Sequence, residues 1–212
     1  MKGIKIAEAK LTPLGLEHDR RWLVVRENGQ FVTQRELHGL ALVHTRLDGE
    51  NLVLSRDGHG SVSVGFGKEG GELIRTRVWD DECVTRDEGR EVSGWLTAAL
   101  ESEEPLRLVR MSPGFVRPLA RKDVLGAETT TLFADAAPYL VANESSLTAL
   151  NRALESRGLN TVPMNRFRPN ITLRGLAAFA EHSIAELAGP SYRIGMRHPC
   201  QRCVVTTIDQ AT

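Results

Sequence analysis

Apolar residues in the first half of the chain come in short runs, each closed by residues that favour turns. Residues 22–26 (WLVVR) are apolar and β-branched, and Glu27, Asn28, Gly29 and Gln30 supply turn chemistry. Residues 31–34 (FVTQ) are therefore predicted to pair back as a hairpin. Residues 40–45, 51–55 and 61–66 continue the pattern, punctuated by Asp48-Gly49 and Asp57-Gly58. Residues 61–66 (SVSVGF) and 73–79 (LIRTRVW) alternate polar with apolar, which marks strands with one buried face. Many short strands with frequent turns predict a barrel or sandwich.

Residues 92–100 break this rhythm. Val92, Trp95, Leu96, Ala99 and Leu100 fall on one face of a helix. Glu103, Glu104 and Pro105 follow as a polar break, so a domain boundary is expected there, dividing residues 1–104 from 105–212. In the second half, residues 106–111, 139–143, 170–173, 192–196 and 204–208 read as strands. Residues 145–154 read as a helix, with Leu147, Leu150 and Leu154 on one face and Ser145 as N-cap. The expected fold class is mostly β with a few helices (α+β).

Composition narrows the function. Lys plus Arg and Asp plus Glu each number 27, giving a formal net charge of zero. A protein that grips nucleic acid by bulk charge needs a basic surface, so no nucleic-acid partner is expected. No apolar run approaches the roughly 20 residues that span a bilayer, and the N-terminus lacks a signal-peptide core. No membrane partner is expected. Three cysteines are too few for a disulfide framework, and a reducing cytoplasm is the expected compartment.

The sharpest chemical feature is the stretch HPCQRCVVTTID, His198 to Asp209. Cys200 and Cys203 have C-x-x-C spacing before a β-branched run. A zinc site would need about four ligands, and a thioredoxin-like redox pair normally opens a helix. Two buried small hydrophobes are a third reading. A thiolate ligand to a soft metal is the fourth, with Arg202 lowering the thiol pKa. Spacing alone does not choose among them. In NRFRPN, Asn165 to Asn170, Arg166 and Arg168 flank an aromatic residue; such arginine forks bind phosphate, or are simply solvated. In EHDRRWLVV, Arg20 and Arg21 sit in a charged turn before a core strand, where a surface cluster is the default. No paired carboxylates or Ser-His-Asp set argues for a hydrolase.

These signals occur in a recognisable order: G-L-E-H-D-R-R-W (Gly15 to Trp22), F-V-T-Q-R (Phe31 to Arg35), P-Y-L-V-A-N-E-S-S-L (Pro138 to Leu147), F-R-P-N (Phe167 to Asn170) and C-Q-R-C-V-V-T-T-I-D (Cys200 to Asp209). Together they resemble the MOSC family, molybdenum cofactor sulfurase C-terminal-like domains, in the branch that includes the amidoxime-reducing components. The resemblance spans nearly the whole chain. It implies an N-terminal β-barrel-like domain followed by a MOSC β-barrel, and it implies molybdenum cofactor of the molybdopterin type. By the same resemblance Cys203 ligates molybdenum and is the catalytic residue, while Arg20, Arg168, Asn170 and Arg202 contact the cofactor.

The implied activity is reduction of N-hydroxylated small molecules, with an electron-transfer protein or reductase domain re-reducing the metal. A sulfur carrier for cofactor maturation and an inactive cofactor-binding fragment are the alternatives. Pyridoxal phosphate, a term attached to some of the family, is not expected. Relatives carry a Lys-Ser pair before the position of Met1 and further strands after T-T-x-D, so the MOSC barrel is expected to be incomplete at its end. Exposed strand edges at residues 2–10 and 204–208 and an opened pocket would follow. Asp135-Ala136-Ala137 also stands where relatives can carry hydroxyl residues near the cofactor.

Overall fold

The computed structural model describes residues 1–67, 70–118 and 122–210. The regular strands are β1 (Trp22–Arg26), β2 (His44–Asp48), β3 (Asn51–Ser55), β4 (Ser61–Gly65), β5 (Leu73–Val78) and β6 (Asp81–Asp87). Helix α1 (Arg90–Ala99) and strand β7 (Leu106–Met111) follow. The rest comprises β8 (Val141–Asn143), α2 (Glu144–Glu155), β9 (Ile171–Leu173), β10 (Glu186–Gly189) and β11 (Tyr192–Gly195). The fold is mostly β, and its main sheet curls into a half-barrel.

That sheet is antiparallel, in the order β1-β7-β6-β5. A three-stranded antiparallel sheet, β2-β3-β4, stands beside it. Strands β1 and β7 lie inside the molecule, and successive side chains point to opposite faces. Val24 and Leu108 therefore enter one core with Leu52, Leu54, Val62, Val64, Val92 and Leu96. Their neighbours Val25 and Val109 enter a second core with Phe31, Val78, Cys83, Met111 and Phe133. Burial on both sides explains why WLVVR reads as a continuous apolar run rather than an alternating one.

The helix expected at residues 92–100 starts two residues before its apolar stripe, at Arg90, and Val92, Leu96 and Ala99 face the core. Strand β6 is absent from the sequence reading because DECVTRD is mostly charged. Only Cys83 and Thr85 point inward, and the Thr85 hydroxyl meets that of Thr76 at 2.8 Å. Strand β7, which follows the expected boundary near residue 104, pairs with both β1 and β6 and so belongs to the first sheet.

Five local expectations are corrected. Residues 40–45 do not form one strand: a 3-10 turn at His38–Leu42 precedes β2, because Leu40 and Ala41 both turn into the core. Pairing of residues 31–34 with β1 is reduced to a bridge at Phe31 and a bond from the Val32 amide to the Val24 carbonyl. The cap of α2 is Asn143, not Ser145; its side chain accepts from the Ser145 amide, which makes Ser145 the second residue of the helix.

Residues 204–208 do not form a strand either. Val204–Thr207 is a 3-10 turn in which the Thr206 and Thr207 hydroxyls bind the carbonyls of Cys203 and Val204. Local hydroxyl-to-carbonyl bonds compete with a sheet ladder, and here they prevail. Residues 2–10 likewise form no strand; the Lys2 amide binds the Val43 carbonyl and the Thr45 hydroxyl binds the Lys2 carbonyl. The exposed edges expected at both places are therefore not strand edges.

In the second half, β8 and β9 pair in parallel across the α2 crossover, and β10 and β11 form a hairpin. Asn143 is buried at the start of α2, where its amide donates to the Ala177 carbonyl and to Glu181. The two halves are joined where the Phe133 amide binds the Arg20 carbonyl at 3.0 Å and the Phe133 ring enters the second core.

Candidate functional site

The turn before β1 and the turn before β9 meet. Asp19 accepts a 2.6 Å bond from the Asn170 amide, and the Asn170 carbonyl oxygen accepts from the Leu140 amide at 2.7 Å. Asn170 thus uses both ends of its side chain to hold three segments together. Arg20 lies against Asp19 at 3.5 Å and reaches the carbonyl of Arg168, also at 3.5 Å. Arg168 follows the 3-10 turn Met164–Phe167 and donates to the Met1 carbonyl at 3.0 Å.

Two guanidinium groups therefore share one corner, with the Asp19 carboxylate beside Arg20 and Asp135 also acting on Arg168. Burial, and then repulsion from Arg20, bring the pKa of Arg168 down to about 10. Both arginines also hold left-handed backbone, φ 52° at Arg20 and φ 53° at Arg168. For residues other than glycine that conformation costs of order 1–3 kcal/mol and concentrates at functional sites.

Cys203 stands exposed at the start of the Val204–Thr207 turn. Burial works against its ionisation, but hydrogen bonds from the Arg35 guanidinium and the Val205 amide outweigh it. They hold the thiol below the usual cysteine range. Asp135 is near enough to act electrostatically on both Cys203 and Arg168, which links the thiol to the arginine corner. Arg202 turns back onto the FRPN segment: it donates to the Phe167 carbonyl at 2.5 Å, and its guanidinium lies 5.5 Å from the Phe167 ring centre. Its other nitrogen touches the Cys200 sulfur at 3.3 Å, so its nearer thiol partner is Cys200 and not Cys203.

The turn that carries Cys203 is fastened to both halves. Arg166 donates to the Thr207 carbonyl and to Asp209, each at 2.7 Å. The buried amides of Gln34 and Gln210 exchange bonds of 3.4 and 3.2 Å. A cleft of about 450 Å³ runs alongside, lined by Arg35, His38, Leu42, Val204, Ile208 and Asp209.

Of the residues singled out from sequence, Arg20, Arg168 and Asn170 come together directly. Cys203 and Arg202 reach them through Asp135 and Phe167. Arg35, Trp79 and Asp135 were not assigned roles. Arg35 closes the F-V-T-Q-R motif, and its place in the ordered set is the signal that could have found it. Trp79 sits at a hairpin tip and left no such signal.

The donor set indicates what the site can hold. Among the described residues, no three His, Cys, Asp or Glu side chains come together to hold a metal ion. A zinc site at Cys200 and Cys203 is thereby disfavoured. The chain offers one thiolate-prone sulfur near paired arginines. That set suits an anionic cofactor that brings its own metal and needs one soft protein ligand, since arginine forks take phosphate and thiolate takes soft metals.

Residues 1–103 match the model of the MOSC N-terminal beta barrel domain, and residues 128–212 match the model of the MOSC domain. The chain is 32% identical to mitochondrial amidoxime-reducing component 1 of Homo sapiens, over 100% of this chain and 63% of that protein. It is 30% identical to the same component of Xenopus laevis, over 98% of this chain and 62% of the relative. It is 30% identical to mitochondrial amidoxime reducing component 2 of Homo sapiens, over 100% of this chain and 64% of the relative. The chain thus spans less than two thirds of the length of these relatives. A Bordetella bronchiseptica protein solved in solution aligns with a TM-score of 0.41 at 20% identity, over 51% of this chain and 92% of its own.

Proposed function

The chain belongs to the MOSC-domain family, in the branch with an N-terminal β-barrel domain, and on that premise we propose that it is a molybdenum-cofactor-dependent oxidoreductase acting on N-hydroxylated compounds. The observation that carries the reading is the corner where Arg20 meets Arg168, with Asp135 near enough to act electrostatically on both Arg168 and Cys203. Arg20 and Arg168 would take the phosphate of the cofactor. Asn170 fixes the backbone of that corner through Asp19 and Leu140, and Arg202 would close the side nearest Phe167. Cys203 would be the metal ligand. When bound, the cofactor supplies a redox-active soft metal able to exchange two electrons with an N–O bond.

The residues of the chain do the remaining work. The clustered positive charge offsets an anion that a neutral protein could not otherwise hold. The bonds from Arg35 and Val205 keep the Cys203 sulfur available as a thiolate, the form that ligates metal. The cleft between the His38–Leu42 and Val204–Thr207 turns gives a small substrate with an apolar body a route past Leu42, Val204 and Ile208. Electrons would come from a separate redox protein or reductase domain.

One observation favours a second reading. Cys203 is exposed and held toward the thiolate, as a sulfur carrier requires. The two readings separate in one experiment on the purified chain. A reductase retains about one molybdenum per chain and consumes an amidoxime when supplied with a two-electron donor. A sulfur carrier shows labile sulfur on Cys203 and neither of those properties. A chain that retains no molybdenum after reconstitution would sink the oxidoreductase reading.

A further inference from the structure

Arg35 lies outside the paired-arginine corner, yet it lines the same cleft as Val204, the residue after Cys203, and its guanidinium reaches the Cys203 sulfur. Its amide binds the Thr33 hydroxyl at 3.2 Å, which fixes the local turn. Its neighbour Gln34 is hydrogen-bonded to Gln210, seven residues beyond Cys203, which ties the Arg35 turn to the segment that carries Cys203. Its guanidinium stacks 4.9 Å from the Trp79 ring centre. Trp79 is itself set firmly. Phe31, from the core, meets it edge-on at 4.8 Å, and its indole N–H donates to Asp135 at 3.2 Å. Trp79 also holds φ 56° at the tip of the β5–β6 hairpin, a conformation that bulky residues adopt only under constraint.

We propose that Arg35 is a positioning residue for Cys203, supplied by the N-terminal half and held in place by its stacking on Trp79. This rests on the reading of Cys203 as the cofactor's protein ligand. A flexible cation beside a sulfur would hold it loosely. A guanidinium pinned on an aromatic face presents its fork in one orientation, at the cation–π distance where such stacking is favourable. Through its indole N–H, Trp79 also holds Asp135, which is near enough to act electrostatically on Cys203. The N-terminal half thus orients two charged groups around the sulfur, although the sulfur itself lies in the MOSC domain.

Two measurements on the full chain test this. The first is molybdenum retained per chain after reconstitution and gel filtration. Arg35→Gln should weaken cofactor affinity roughly 10- to 100-fold, the usual penalty for removing a group that orients a metal ligand. Retention equal to the parent chain overturns the proposal. The second needs no cofactor: the side-chain Nε–Hε resonance of Arg35 in isotope-labelled protein. Cys203→Ala should shift it and speed its exchange with water, leaving the buried Arg110 resonance in place. An Arg35 signal that ignores Cys203→Ala also overturns the proposal. If the parent chain takes up no cofactor, the oxidoreductase reading falls, and the resonance comparison decides the Arg35 contact by itself.

Discussion

Arg20 donates to the main-chain carbonyl of Arg168 at 3.5 Å, across a sequence separation of 148 residues. Their side-chain charges repel, and that repulsion, after burial, brings the Arg168 pKa down to about 10. An arginine corner held together by backbone bonds and the Asp19 carboxylate is prepared for an anion, which would relieve the repulsion.

Arg168→Ala should weaken binding of the molybdenum cofactor by about 1.5–3 kcal/mol, the range for losing one charge-assisted hydrogen bond. Arg168→Lys should lose less, because the charge stays although the fork is gone. Calorimetric or fluorescence titration with isolated cofactor checks both. An unchanged dissociation constant in Arg168→Ala would remove this residue from the site.

The two cysteines of the C-x-x-C stretch should behave differently. Both are exposed, but Cys203 is met by Arg35, whereas Cys200 is met by Arg202. Cys203→Ser should abolish molybdenum retention, because a hydroxyl replaces a soft thiolate poorly. Cys200→Ser should retain most of it. Mass-spectrometric metal counts on both variants decide the assignment, and equal loading of Cys203→Ser and parent would reject it.

Glu181 ties the loop after β9 to the start of α2. Burial pushes its carboxyl up, but hydrogen bonds from Ser146 and Asn143 outweigh it and hold the group below the usual range. A carboxylate with a depressed folded-state pKa stabilises the fold above its unfolded value, about 4.3 for glutamate, and loses that contribution as pH falls through the folded value. Glu181→Gln should therefore lower the melting temperature at neutral pH, and the gap to the parent should close on acidification below about pH 4. A gap that does not change between neutral and acidic pH would show that the charge plays no part.

Leu108 tests where β7 belongs. It is fully buried between the two antiparallel sheets and α1. Leu108→Ala should destabilise the fold by about 2–5 kcal/mol, the usual range for a core leucine truncated to alanine. Denaturant unfolding with Trp22 fluorescence, which reports the neighbouring strand, gives the number. A loss below about 1 kcal/mol would mean that β7 is peripheral to the first sheet.

Strands β1, β3, β4 and β5 and helix α1 were legible in the sequence because local pattern suffices for them. Their apolar residues repeat with the period of their own element, and turn residues close each run. The chemistry of the site was legible as residue types: a thiol beside an arginine, an arginine before Pro169, an arginine in a charged turn. The family was legible as the order of five motifs, and it holds. Other features needed the tertiary structure. Residues 204–208 have the β-branched composition of a strand but form a 3-10 turn, since a strand requires a partner edge and the local threonine bonds do not. Strand β6 hides its two inward residues among charges that face solvent. Arg35 acquires meaning only from Trp79 and Cys203, and neither lies near it in the chain. The sequence by itself determined the elements whose pattern is local and which reactive groups exist. Packing decided which of those groups stand together, because the contacts that join Arg20 to Arg168 and Arg35 to Cys203 are long-range and leave no periodic trace.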